Sequence, residues 1–316
     1  MASPTISFCV PTYGRAHFVA ETIESALAQT VTDIEVIVVD DVSPDRTADV
    51  VGAFTDPRVR YVRNTQNLGV PANLNRAFGL ARGEFVVLLE DHDLIHPQYA
   101  EKTLQLFRRY PDVGFVAAGL DTIDEQGRPL ARYVSPLPER MAGRDLLRLL
   151  LTRTTCPFSV TVAVRRSVLA DIPVPFDPAY WWYADQNLWM TLAGKTNFGY
   201  VGEPLLMMRT REAGHTLTGK EWEGLLSVHK VHEDHWPRLH PARTLAALRD
   251  AFIYECAKLR RVAEYRVIKA LRHLPWGEAD RRHAAAYLAT PARAPIAMLG
   301  IVPAALWRLA HRVVRR

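Results

Sequence analysis

Apolar and polar residues alternate along the first 120 positions in blocks that predict strands and helices in turn. Short runs rich in β-branched residues predict strands at 5–10, 34–39, 59–62, 85–89 and 113–118. Helices are predicted between them: one with Val19, Ile23, Ala26 and Leu27 on a single stripe, one beginning at Ser43 and Pro44, and others over 71–81 and 97–110. This alternation is typical of βαβ units, and it predicts an α/β fold with a mostly parallel sheet flanked by helices.

Polar residues gather where the predicted strands end. They are Pro11, Thr12, Tyr13 and Arg15 after the first strand, Asp40 and Asp41 after the second, and Glu90, Asp91, His92 and Asp93 after the fourth. Ligands of open parallel sheets bind beyond the carboxyl ends of the strands. The sequence therefore predicts a binding site at this edge of the sheet.

The segment FVVLLEDHDLIHP, residues 85–97, places three acids directly after an apolar run. Clustered carboxylates repel one another unless a cation holds them together. Oxygen ligands in a short acidic loop suit Mn²⁺ or Mg²⁺, which often complete their shell with phosphate oxygens. A nucleotide diphosphate bound with such a metal fits this pattern, and a solvated acidic turn is the alternative.

Two common nucleotide motifs are missing from the sequence. No GxGxxG follows the first strand and no GxxxxGK[ST] is present, which argues against a dinucleotide-binding domain and a P-loop. Tyr13 can instead stack on a base, and the carboxylates of Asp40 and Asp41 can accept a base N–H or a ribose hydroxyl. The alternative for these two acids is a turn or a helix N-cap.

The stretches CVPTYGR, VIVVDDVSPDRT, NLGVPANLNRAFGLARGEFVVLLEDHD and ADQNLW resemble family 2 glycosyltransferases with a GT-A fold. The resemblance covers about residues 5–215. It implies transfer of a sugar from a nucleotide-diphosphate sugar, with inversion at the anomeric carbon. It also implies that Thr12, Tyr13 and Asp41 hold the nucleobase with Asp40 beside them, in a nucleotide-binding set that includes Pro11, Arg15 and Asn67.

The same resemblance identifies Asp91 and Asp93 with the acidic DxD element of the family. It implies that Asp93 binds Mn²⁺ or Mg²⁺ and that Asp91 lies at the metal and near the ribose. Counting back from Pro97 without a gap puts His92 where the metal-binding acid belongs, whereas one deleted residue puts Asp93 there. Asp93 is preferred because hard cations favour oxygen over imidazole, and His92 remains a second candidate ligand.

In the ADQNLW motif, the resemblance makes Asp185 the catalytic base. The preceding acid of the family is Ala184 here, so Asp185 stands alone in that role. A carboxylate that takes a hydroxyl proton is what an inverting displacement needs, although an N-cap for the helix through Leu188 is the alternative. An Arg–x–His motif common in the family has no full match, and Arg211 or His215 is expected to serve the diphosphate or the metal.

These features predict a metal-dependent glycosyltransferase that uses a UDP-, GDP- or dTDP-linked sugar and a glycan or a lipid-linked acceptor. Two other functions stay open on the sequence. A sugar nucleotidyltransferase could share the sheet and the acidic loop, and a catalytically silent nucleotide-sugar-binding protein would explain the irregular metal loop.

The last third of the chain differs in charge from the rest. Residues 236–316 carry 16 lysines and arginines against 5 acids, although the whole chain has a net charge of only +5. We therefore expect a GT-A domain over 1–216, with a nucleotide-binding half at 1–97 and an acceptor half at 98–216, and a basic helical region over 217–316. A final helix with Arg308, Arg312, Arg315 and Arg316 on one side and apolar residues on another predicts docking on an anionic membrane surface rather than on nucleic acid.

Three widely separated cysteines without CxxC spacing indicate neither a zinc site nor a disulfide framework. The first residues also lack the basic start and the apolar run of a secretory signal peptide. We therefore expect a cytoplasmic protein, either free or peripheral at the inner face of the cell membrane.

Overall fold

The computed structural model describes residues 3–152 and 156–210, together with six residues between 230 and 239. Contacts divide the chain into one unit of Met1–Leu146 with Pro157–Thr216 and a second of Leu147–Cys156 with Leu217–Arg316. In the second unit, Val231, His235 and Leu239 are buried and lie four residues apart, as on one face of a helix. The predicted nucleotide-binding and acceptor halves of residues 1–216 stay a prediction.

Strands and helices alternate through the first half of the first unit, as the hydrophobic pattern predicts. The first half contains β1 (Ile6–Thr12), α1 (Val19–Leu27), β2 (Ile34–Asp40), α2 (Thr47–Gly52), β3 (Val59–Arg63), α3 (Val70–Leu80) and β4 (Phe85–Leu88). The rest of the described chain contains β5 (Leu94–Ile95), α4 (Tyr99–Arg109), β6 (Val113–Ile123), β7 (Pro129–Tyr133), β8 (Arg140–Met141), α5 (Gly143–Thr152), β9 (Ala163–Arg165), α6 (Ala184–Ala193) and β10 (Asn197–Arg209). Two 3-10 helices, Arg166–Leu169 and Pro178–Tyr183, precede α6.

One sheet runs through this unit in the order β3-β2-β1-β4-β9-β6-β10-β5. Its first four strands are parallel, which confirms the βαβ prediction. The short strand β9 is antiparallel to both of its neighbours, β4 and β6, so the second half of the sheet is mixed. The fold is thus α/β with helices against a large sheet, and β7 and β8 pair with β6 and β10.

The core explains why these segments form a sheet with helices against it. All seven residues of β2 are buried, which is typical of a strand covered on both faces. On α1, the predicted stripe turns inward, since Val19, Ile23 and Ala26 are fully buried against the sheet. The chain leaves β1, β2 and β4 at the same edge, so their polar carboxyl ends lie side by side.

Membrane-spanning helices are absent from the part of the chain that the structure describes, because no helix there is both long and apolar enough.

Candidate active site

The carboxylate of Asp40 closes a turn directly after β2. Oδ1 accepts the backbone N–H of Ser43 at 2.7 Å, while Oδ2 accepts the Tyr61 hydroxyl at 2.5 Å and Arg63 Nη1 at 2.8 Å. Val42 makes this turn possible by adopting a left-handed backbone with φ 64°, a conformation that is rare for a β-branched residue. Helix α2 consequently begins at Thr47 rather than at the predicted Ser43, and its N-cap is Arg46, so neither Asp40 nor Asp41 is a helix cap.

Hydrogen bonds to Asp41 hold a second loop, residues 64–69, at the end of β2. Its carboxylate accepts hydrogen bonds from the side chain of Asn64 at 2.6 Å and from the backbone N–H groups of Leu68 at 2.8 Å and Gly69 at 2.9 Å. Asn67 contributes from the same loop, because its Nδ2 donates to the backbone oxygen of Asp41 at 3.1 Å. The predicted nucleotide residues Asp41 and Asn67 therefore shape the loop that leads into α3.

We expect Asp41→Ala to lower the free energy of unfolding by about 2–4 kcal/mol. Three donors, two of them backbone N–H groups, would lose a buried charged acceptor. Urea unfolding at neutral pH measures the loss, and Asp49→Ala on the exposed face of α2 is the matched control, with an effect under about 0.5 kcal/mol. Equal stability of the two variants would show that Asp41 does not hold the loop.

The end of β1 contacts the acidic segment after β4. Asp91 is buried, its Oδ2 accepts the backbone N–H of Tyr13 at 3.3 Å, and its Oδ1 lies 3.7 Å from Arg15 Nε. Tyr13 keeps 52% of its surface exposed, so its side chain is accessible to a stacking partner. Thr12 is buried beside Pro11, and its hydroxyl oxygen has no hydrogen-bond partner among the described residues.

Three side chains after β4 converge into a group that can hold a metal ion. One ligand atom each from Glu90, His92 and Asp93 lies within 4.8 Å of the others. His92 Nε2 is 3.8 Å from Glu90 Oε2 and 3.8 Å from Asp93 Oδ1. Asp91 lies outside this group, and Glu90, which the sequence analysis did not select as a ligand, lies within it.

The complete burial of Asp93 distinguishes this group from a fully solvated acidic turn. Asp93 has no exposed surface, and burial raises its pKa to about 7. Partial desolvation and the nearby charge of Asp93 also raise the pKa of Glu90, although its side chain keeps 41% of its surface exposed. Because acids whose ionised form is disfavoured gain from a nearby cation, this site is one that a divalent metal would stabilise.

The hydrogen bonding of the Asp93 carboxylate also fits a site for Mn²⁺ or Mg²⁺. Oδ1 of Asp93 accepts the backbone N–H of Arg209 at 2.8 Å, whereas Oδ2 is buried without any hydrogen-bond partner in the described residues. A buried carboxylate oxygen left in this way is costly unless another group satisfies it. A hard cation that binds carboxylate oxygen is such a group.

Arg209, the last residue of β10, supports the acidic segment through hydrogen bonds. Its guanidinium, only 2% exposed, donates to the His92 carbonyl at 2.9 Å, to the Glu125 carbonyl at 2.7 Å and to Glu21 Oε2 on α1 at 2.6 Å. It also lies 4.6 Å from the centre of the Phe18 ring. The sequence analysis selected Arg211 from the same Arg–Thr–Arg stretch and missed Arg209; Arg211 and His215 lie outside the described residues.

Asp185 reaches the same region from α6. It is the second residue of the helix, whose N-cap is Tyr183, so the alternative role of N-cap does not apply. Its side chain is half-buried, and burial raises its pKa to about 6 although two backbone N–H groups oppose the shift. A carboxylate with that pKa is ionised at neutral pH and basic enough to accept a proton.

Comparison with known proteins identifies the family of this chain. The family model described as glycosyl transferase family 2 matches residues 7–172. The succinoglycan biosynthesis protein ExoO of Rhizobium meliloti is 35% identical over 132 residues, which are 41% of this chain and 37% of ExoO. The putative teichuronic acid biosynthesis glycosyltransferase TuaG of Bacillus subtilis is 25% identical over 239 residues, covering 75% of this chain and 90% of TuaG.

A solved structure shows the same fold at low identity. S. aureus TarS 1–349 in complex with UDP-GlcNAc superposes with a TM-score of 0.71 at 18% identity, covering 98% of this chain and 87% of that one. The match to ExoO spans little more than a third of that protein. Because the family model covers more than half of the sequence, this chain belongs to glycosyl transferase family 2.

Proposed function

We propose that this chain transfers a sugar from a UDP-sugar to a hydroxyl of a growing glycan or of a lipid-linked acceptor, with inversion at the anomeric carbon. The observation that carries the proposal is the cluster of Glu90, His92 and Asp93 at the carboxyl ends of the strands, and the charge of Asp185 on α6 adds to the raised pKa of Glu90. The proposal assigns the proton acceptor and the candidate metal group to one site beyond the carboxyl ends of the strands. The bound UDP-GlcNAc of TarS and the polysaccharide roles in the names of ExoO and TuaG support the donor and acceptor classes.

The reaction follows from these side chains. Asp185 removes the proton from an acceptor hydroxyl, and the oxygen attacks the anomeric carbon on the face opposite the diphosphate. The bond from that carbon to the diphosphate oxygen breaks, and UDP leaves with the electron pair. Mn²⁺ or Mg²⁺, held by Glu90, His92 and Asp93, would neutralise charge on the departing diphosphate.

The nucleotide would lie across the ends of β1 and β2. Tyr13 offers its ring to the base, and Thr12 offers a buried hydroxyl that has no hydrogen-bond partner within the described part of the chain. Asp40 and Asp41 mainly hold the surrounding loops, although a carboxylate has about four lone-pair sites and each retains capacity for a base or ribose donor. Asp91 fixes the Tyr13 backbone next to them.

A donor panel tests the proposal directly. We expect the full chain, with Mn²⁺ and a polysaccharide or lipid-linked acceptor extract, to release UDP from one UDP-sugar much faster than GDP or dTDP from their sugars. Release of pyrophosphate from a sugar phosphate and a nucleoside triphosphate would identify a nucleotidyltransferase instead. Binding of UDP-sugars without transfer to any acceptor would identify a silent binding protein.

We also propose that the basic C-terminal tail docks on an anionic membrane, at the inner face of the cell membrane. The support is sequence alone, since Arg308, Arg312, Arg315 and Arg316 lie outside the described residues. Each basic residue near such a surface contributes about 1 kcal/mol. Changing all four to Gln in the full chain should therefore abolish most co-sedimentation with phosphatidylserine vesicles at low salt, and changing all four to Lys should preserve it. Equal binding of the two variants would contradict this role.

A further inference from the structure

We infer that His92 makes the metal group selective for Mn²⁺ over Mg²⁺ by supplying an imidazole nitrogen to an otherwise carboxylate site. The inference rests on the proposed function, because it concerns the cation that would accompany the nucleotide diphosphate. His92 stands where the metal-binding acid is expected, so the selectivity would be a property of this chain in particular.

The position of the His92 ring leaves one nitrogen for a metal. Its Nδ1 lies 3.1 Å from Asp91 Oδ1, a distance at which an Nδ1–H donates to the carboxylate. With the proton on Nδ1, the lone pair is on Nε2, which lies 3.8 Å from both Glu90 Oε2 and Asp93 Oδ1. Asp91 is thus a positioning residue, which orients the imidazole as outer carboxylates orient metal-bound histidines in proteins.

Asp93, a second ligand of the group, is held by hydrogen bonds from two other elements. Arg209 donates its backbone N–H to Asp93 Oδ1, and Thr22 on α1 donates its hydroxyl to the Asp93 carbonyl at 2.9 Å. Oδ2 of Asp93 is fully buried and has no hydrogen-bond partner among the residues that the structure describes. This unpartnered oxygen is the second observation, besides the cluster itself, that points to a cation.

Imidazole changes which cation the site prefers. Mg²⁺ favours octahedral oxygen ligands and releases its waters reluctantly, whereas Mn²⁺ binds imidazole more readily. With two carboxylates and one nitrogen, Glu90, Asp93 and His92 form a mixed set. Replacing the nitrogen by oxygen should raise the relative affinity for Mg²⁺, whatever the change in absolute affinity.

The experiment measures metal binding rather than turnover. Mn²⁺ is titrated into the full chain with saturating UDP and followed by electron paramagnetic resonance, and Mg²⁺ is then used to displace it. We expect the ratio of the Mg²⁺ to the Mn²⁺ dissociation constant to fall by about tenfold in both His92→Asp and His92→Asn, since each replaces the nitrogen with oxygen. Using both variants separates the effect of the ligand atom from that of the added charge.

A matched control lies four residues along the chain. His96 is exposed, so His96→Asp makes the same chemical change outside the metal group and should leave the ratio unaltered. Pulsed spectra of bound Mn²⁺ should show coupling to an imidazole nitrogen in the wild type and in His96→Asp, and lose it in both His92 variants. A ratio within about twofold of wild type in folded His92 variants, or the absence of nitrogen coupling in the wild type, overturns the inference.

The outcomes also separate this inference from the proposed function. Transfer from a UDP-sugar without any divalent metal would retain the function and overturn the inference. Selective Mn²⁺ binding through His92 without transfer to any acceptor would retain the inference and overturn the function. Failure of the wild type to bind Mn²⁺ at all overturns the inference, whatever the donor panel shows.

Discussion

Asp185→Asn is expected to lower turnover by about 10²–10⁴-fold while the protein remains folded and binds its donor. The amide is nearly the same shape as the carboxylate and cannot accept the hydroxyl proton. Folding should survive, because Asp185 is the second residue of α6 and not its cap. Single-turnover transfer with saturating UDP-sugar measures the chemical step separately from binding.

The pH dependence of kcat/KM in the wild type is a second test of Asp185 as the base. With the pKa of Asp185 at about 6, the fraction of enzyme able to accept a proton falls about tenfold for each pH unit below 6, and so should kcat/KM. Asp171→Asn, on an exposed residue of the same unit, is the control and should keep wild-type turnover. Turnover of Asp185→Asn within about threefold of wild type would remove Asp185 from the reaction.

Arg209→Met should destabilise the protein by about 3–5 kcal/mol. The substitution keeps an apolar stem but removes the donors to the His92 and Glu125 carbonyls and to Glu21. These donors support the acidic segment, and loss of such supporting contacts around a metal site commonly weakens metal binding by about 10–100-fold. Urea unfolding measures the first effect, and Mn²⁺ titration at low temperature, where the variant stays folded, measures the second.

Arg132→Met is the matched control for that change. Arg132 forms a bidentate ion pair with the Asp121 carboxylate, but the Arg132 side chain is 67% exposed. Exposed pairs contribute about 0–1 kcal/mol, so this variant should be nearly as stable as wild type and bind Mn²⁺ equally well. If Arg209→Met costs no more than Arg132→Met, Arg209 does not support the acidic segment.

Much of the first half of the fold could be predicted from periodicity. The strands β1, β2 and β4 are largely apolar runs, and the helices between them carry an apolar stripe, so local pattern and tertiary burial agree. The second half was harder because β8 and β9 have two and three residues, too few for any pattern. Their place in the sheet depends on pairing with strands distant in sequence.

The sequence by itself determined that acids follow β2 and β4 at one edge of a parallel sheet, because the βαβ alternation predicts parallel strands whose carboxyl ends share an edge. It could not determine which of four consecutive polar side chains turn toward a common point. The tertiary structure directs Glu90, His92 and Asp93 to one group and turns Asp91 toward Tyr13 and the back of the His92 ring.

Arg209 shows the physical reason for this limit. It lies 116 residues from Asp93 along the chain, in a segment where Arg211 looks equally suitable. Only the placement of β10 beside β5 and β6 brings its guanidinium, nearly free of solvent, behind the acidic segment. Local pattern predicts which segments are strands and where they end, whereas ligand geometry depends on distant side chains that meet only when the sheet is complete.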